Sequence, residues 1–180
     1  MPHDPFAANA APGFDDPLGV LRACHRRIER QLATLNRLLR YLPEHHADAD
    51  ARAAATAIMR YFDTAAINHH ADEEQSLFPR LINAAPDARD LARKLQREHV
   101  TLAARWARLR PLLSAIVARG GAYLPVKDVD LFCAAYAAHI TREEGELLPR
   151  AAEALTASDL AAIGAEMAAR RDVAVAGLPA

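Results

Sequence analysis

The sequence predicts an all-α protein, an antiparallel up-down-up-down four-helix bundle with a short fifth helix at its C-terminal end. Three observations lead there. Apolar residues recur at helical spacing through four long segments. Alanine is abundant while only 7 of 180 residues are glycine, which favours helix over most of the chain. No segment shows the strict alternation of a half-buried strand. The length suits one domain with a sizeable core.

Residues 1–14, rich in proline and alanine with a glycine at position 13, are expected to form a flexible N-terminal arm. The bundle is expected over residues 15–155, and a C-terminal helix and tail over 156–180. Asp15-Asp16-Pro17 supplies an acidic cap and a proline in the first turn, so helix one starts there. It should run to about Leu42 and stop at Pro43, leaving His45 and His46 in a polar linker. Helix two runs from about Asp50 into Leu77-Phe78-Pro79, where the proline should break or kink it. Helix three starts near Asp87 and ends at Gly120-Gly121, with a kink expected at Pro111. Helix four extends from Val126–Asp128 to about Leu155. The fifth begins at Thr156, with Asp159 placed to complete a capping box.

The formal net charge is -1, which argues against partners held by bulk charge, nucleic acid and anionic membrane surfaces alike. Arginine pairs such as Arg26-Arg27 and Arg170-Arg171 read as solvated helix faces. Two cysteines, Cys24 and Cys133, are too few for a disulfide framework and fit as small apolar fillers. No stretch is long and apolar enough to span a bilayer, and no charged start precedes an apolar segment as in a signal peptide. A cytoplasmic location is the expectation.

One internal repeat stands out. His69-His70-Ala71-Asp72-Glu73-Glu74-Gln75-Ser76-Leu77-Phe78-Pro79 matches His139-Ile140-Thr141-Arg142-Glu143-Glu144-Gly145-Glu146-Leu147-Leu148-Pro149. Both copies read H-x-x-x-E-E-x-x-L-[FL]-P. Residues four apart lie on one face of a helix, so the His and the first Glu of each copy can reach one metal together. In helix two, His69 and Glu73 continue the stripe of Ile58, Phe62 and Ala65. His70 and Glu74 fall outside it, and Ile140 occupies the place of His70 in the other copy. His69 and Glu73 are therefore preferred. In helix four, His139 and Glu143 share the face of Phe132, Tyr136 and Leu147. His25 lies at the edge of the helix-one stripe Ile28, Leu32, Leu35 and Leu39. His99 lies within the helix-three stripe Leu91, Leu95, Leu102, Trp106 and Leu109.

Four imidazoles and two carboxylates aimed into one dry core would carry a heavy desolvation cost, which bound dications remove. Imidazole with carboxylate suits iron, manganese or zinc, with no thiolate involved. Two histidines per metal and two glutamates able to bridge leave room for a bridging oxygen and an exogenous ligand, a reactive rather than a closed structural site. His3, His45, His46 and His70 are expected at the surface. Glu29, one turn after His25, and Glu98 are further candidates near the centre, and Tyr136 either lines the pocket or fills the core.

The order H…HxxxE…H…HxxxE, with LFP or LLP after the paired glutamates, resembles the hemerythrin-like (hemerythrin HHE cation-binding) family over roughly residues 16–155. The resemblance implies two iron ions in an Fe–O–Fe type centre. His25 and His69 would bind one, His99 and His139 the other, and Glu73 and Glu143 would bridge them. Oxygen-carrying hemerythrins have a further histidine one turn after the third-helix ligand. Ala103 stands there in this chain and cannot ligate.

The function expected on these grounds is non-haem di-iron binding, with oxygen, nitric oxide or peroxide as the small ligand and an unknown redox partner. The alternative is a di-iron enzyme, or an iron donor in the repair of nitrosative and oxidative damage. The cysteine-free residues 1–14 weigh against the repair reading, because related repair proteins carry a cysteine there. A metal-free helical interaction module is the third reading, and metal content separates it from the others.

Overall fold

A computed structural model describes residues 12–121 and 123–173. Those residues form helices only, with no strand among them. Helix α1 spans Pro17–His45, with the Asp16 carboxylate accepting from the Gly19 amide at 2.9 Å and Pro17 in the first turn. The expected stop at Leu42 is passed by a turn. Pro43 sits in the last turn, where few amides remain to be disrupted, and the helix closes when the His46 amide bonds the Leu42 carbonyl.

Helix α2 (49–84) begins under Asp48, which accepts from the Ala51 amide and from the Tyr41 hydroxyl, both at 2.8 Å. It does not break at Pro79. It contains two wide π turns, Tyr61–Ala65 and Asp72–Leu77, and Pro79 stands in the first turn of the α segment Phe78–Ala84 that follows. The wide turn is closed by the Phe78 amide on the Glu73 carbonyl. Proline next in line offers no competing amide, so its missing donor favours the wide turn and costs the helix little. A 3₁₀ turn at Pro86–Ala88 leads into α3, Arg89–Val117, which continues through Pro111. Helix α4 (126–154) repeats the pattern of α2: α over Val126–Arg142, a π turn over Glu143–Leu147 closed by the Leu148 amide on the Glu143 carbonyl, then α over Leu148–Ala154 with Pro149 in its first turn. Helix α5, Ala157–Ala169, carries the Thr156/Asp159 capping box foreseen from the sequence.

Each of the four long helices packs on its chain neighbours, and α4 returns to α1, which closes the bundle. Helix α5 lies across the end, against α1 and the π turn Asp72–Leu77. The core is split into two apolar layers. One joins Ile28, Leu35, Ile58, Phe62, Leu109 and Phe132, the other Leu21, Phe78, Leu95, Leu148, Ile163 and Met167. A buried large side chain such as Phe78 or Phe132 stabilises the fold by roughly 1.5–3 kcal/mol. Between the layers every long helix contributes buried polar groups: His25, His69 with Glu73, His99, and His139 with Glu143.

Most of the expected N-terminal arm lies outside the described residues. Phe14, its last residue, is half-buried against the second layer. Its carbonyl approaches Gly164 so closely that a Cβ there would stand 1.8 Å from the oxygen. Backbone cannot swing aside as a side chain can. Gly164→Ala is therefore expected to cost about 1–3 kcal/mol, the usual range for overpacking. A thermal melt checks this, and an unchanged midpoint would show that the entry segment is not held against α5.

Candidate metal centre

All six residues singled out by facing are brought into one layer, each at most 4% exposed. Their donor atoms fall into two overlapping groups, one of His25, His69, Glu73 and Glu143, the other of His99, His139, Glu73 and Glu143. Within each group the atoms lie within 4.8 Å of one another. The carboxylates belong to both groups through different oxygens. Glu73 turns Oε1 toward His69 Nε2 at 3.6 Å and Oε2 toward His99 Nε2 at 3.2 Å. Glu143 turns Oε2 toward His25 Nε2 at 3.0 Å and Oε1 toward His139 Nε2 at 2.9 Å. Each carboxylate thus presents one oxygen to each half of the layer.

These contacts do not satisfy the groups that make them. His25 Nε2, both His69 nitrogens and all four oxygens of Glu73 and Glu143 are buried without a partner in hydrogen-bond geometry. Buried polar groups are normally paired, and a cluster of orphans is costly. A donor set of imidazole nitrogens and carboxylate oxygens with that many unspent lone pairs fits metal cations.

An outer ring of carboxylates sets the ring orientations. His25 Nδ1 lies 2.8 Å from Glu144 Oε1, His99 Nδ1 2.6 Å from Glu74 Oε1, and His139 Nδ1 3.0 Å from Glu98 Oε2. A carboxylate that accepts from Nδ1 fixes the tautomer, so Nε2 keeps its lone pair and points inward, as in carboxylate–histidine–metal arrangements. The glutamate doublets are thereby explained. The first of each pair faces the axis, and the second reaches the histidine of the adjacent helix, Glu74 to α3 and Glu144 to α1. Periodicity placed Glu74 outside the apolar stripe, correctly, but the stripe shows only what faces the axis. The duplicated E-E was the signal available for the outer role. Glu98, foreseen near the centre, holds His139 and is itself held by Arg142 Nη1 at 2.9 Å. Glu29 is exposed and makes no such contact.

Charge follows burial and pairing. Burial holds His69 down at about 3, in its neutral form. Burial and the neighbouring Glu143 charge push Glu73 up to about 7. Burial would raise Glu143 as well, but the close approach of the His139, His25 and His99 imidazoles outweighs it and holds Glu143 well below the usual carboxylate range. Burial likewise opposes charge on His99, and the nearby Glu143 and Glu73 carboxylates, with the bond to Glu74, carry it up to about 10. Without cations the layer is a knot of competing protons.

Two expectations are corrected. His45 and His46 are exposed and His3 lies outside the described residues, but His70 is not a surface residue. It is half-buried, its Nε2 is buried without a partner, and its ring stacks on that of His99 at 4.0 Å and 11°. Lying about 100° from His69, it points off the axis. In a bundle that direction faces the neighbouring helix, not solvent. Arg170 and Arg171 are not a solvated face either. Both clasp the fully buried carboxylate of Asp72, Arg170 through Nη1 to Oδ1 and Arg171 through Nη2 to Oδ2 at 2.6 Å. Tyr136 is buried, and its ring lies edge-on to Phe132.

Fold and donor set together define a class: helical bundles that gather histidine and glutamate from every helix into a buried cation site. The model of the Hemerythrin HHE cation binding domain matches residues 16–151, and the chain belongs to that family. It is also similar to an uncharacterized protein of Haemophilus influenzae, with 31% identity over 160 residues that cover 89% of this chain and 92% of the relative. Among the described residues no helix is long and apolar enough to cross a membrane.

Proposed function

We propose that the chain is a non-haem di-iron protein that binds or senses a small oxidant or diatomic molecule such as oxygen, nitric oxide or peroxide. The observation that carries the di-metal reading is the splitting of the Glu73 and Glu143 carboxylates, one oxygen toward each half of the layer. Such placement suits two cations bridged twice, with His25 and His69 on one, His99 and His139 on the other. Iron in this setting supplies one-electron chemistry and affinity for small oxidants. The protein's part is to orient the imidazoles of His25, His99 and His139 through Glu144, Glu74 and Glu98, to exclude bulk water with two apolar layers, and to admit a small uncharged ligand. For the last role there is a cavity of about 250 Å³ beside the centre, lined by Phe62, Leu102, Trp106 and Tyr136, with His70 and Ala103 also on its wall.

Anaerobic iron loading followed by elemental analysis should give about two irons per chain, as the ligand count requires. Rapid mixing of the reduced, loaded protein with oxygen, nitric oxide and peroxide should then change its optical spectrum with at least one of them. Folded protein that retains no iron would overturn the metal reading. Iron-loaded protein inert to all three would overturn the oxidant reading.

A further inference from the structure

We infer that His70 is a terminal ligand of the metal held by His99 and His139, filling from helix α2 the coordination position that Ala103 leaves vacant on α3. This rests on the di-metal reading above and sharpens it, since it makes the two metals unequal.

Three observations point to it. A ring nitrogen of His70 lies with the donor nitrogens of His99 and His139 in one group whose atoms are all within 4.8 Å of each other, a third metal-sized cluster that no part of the repeat foretold. The Nε2 of His70 is buried and has no hydrogen-bond partner, which is an unfavourable state for an imidazole unless something claims its lone pair. The His70 ring lies flat on the His99 ring, at 4.0 Å and 11°, and edge-on to His139 at 6.0 Å and 79°. It is thus anchored against both histidines of one half of the layer, while its contact with His69 is only that of chain neighbours.

Distances permit the coordination. Two imidazole nitrogens about 2.1 Å from a shared metal lie roughly 3–4 Å apart, and the His70 nitrogen is already within 4.8 Å of the other two, so ligation requires its ring to turn out of the parallel stack on His99 until the two lone pairs converge. The place is open on the α3 side. Ala103, one turn beyond His99, is exposed on the wall of the cavity that His70 also lines, and its methyl group offers no donor. A residue on α2 that faces α3 can reach this position as well as one on α3 itself. Among the described residues the other half has no such addition, since His25 and His69 are joined there only by the two glutamates.

The test is metal titration of the apo protein by calorimetry, with cobalt(II) as the probe, for the wild type and His70→Phe. Phenylalanine keeps a flat ring on His99 and provides no nitrogen. Far-UV circular dichroism checks that the bundle remains. In the wild type two binding steps are expected. His70→Phe should weaken one step by at least the about 10-fold that loss of even an outer ligand partner costs, and leave the other in place. X-ray absorption of the loaded proteins should show five histidines per metal pair in the wild type and four in the variant. Two unchanged steps in His70→Phe would overturn the inference and leave the di-metal reading standing. Equal weakening of both steps would overturn it too, since that marks a packing role. A wild type that binds no cobalt would overturn both readings together.

Discussion

Metal-free protein is expected to melt well below the loaded form, by roughly 10 °C. The size follows from mass action. A ligand that binds only the native state at a thousand times its Kd stabilises that state by about 4.1 kcal/mol, and each kcal/mol moves the midpoint of a chain of this length by about 2–4 °C. The native state alone assembles the site, because donors from four helices meet only in the closed bundle. Removal also restores the cost of seven buried, unpartnered atoms on His25, His69, Glu73 and Glu143. Scanning calorimetry of chelator-stripped and iron-reloaded protein measures the shift. Coincident melts would mean that the layer is satisfied without cations.

The second large effect is expected at the clasp between α5 and α2. Removing both guanidinium groups, as Arg170→Ala/Arg171→Ala, should cost about 3–5 kcal/mol, because the Asp72 carboxylate is fully buried and would lose both of its partners. Asp72→Asn should cost less. Both arginines are about one-fifth exposed, so their charges can turn to water when the carboxylate is gone. The asymmetry is the diagnostic feature, and chemical denaturation of the two variants measures it. Equal costs, or a near-neutral double variant, would show that the Asp72 pocket admits water. Because Asp72 is the residue before Glu73, the double variant should also weaken metal retention, while an exposed control such as Arg26→Ala should not.

Much of the fold was legible because the signals are local. Asp16 with Pro17, and Thr156 with Asp159, mark helix starts by satisfying amides within one turn. The inward set His25, His69, Glu73, His99, His139 and Glu143 followed from facing alone, since an apolar stripe reports the direction of the bundle axis. What escaped was whatever depends on a neighbour. Pro79 read as a break or kink, yet it follows a wide turn that has no use for its missing amide. Glu74 and His70 read as off-face, yet both meet His99 on the next helix. Arg170 and Arg171 read as solvated because nothing in their own helix says that Asp72 lies opposite. A periodicity gives one direction per helix. A bundle has three: axis, flank and solvent.

The outer carboxylates have one further consequence, for how substitutions combine. Glu74 is carried by α2 but orients the donor of α3, and Glu144 is carried by α4 but orients that of α1. A change at either glutamate is therefore felt at a histidine in another segment of the chain, and its effect depends on what stands there. Glu74 and His99, or Glu144 and His25, act as single units spread over two helices, so the effects of changing both members of a pair should fall far short of the sum.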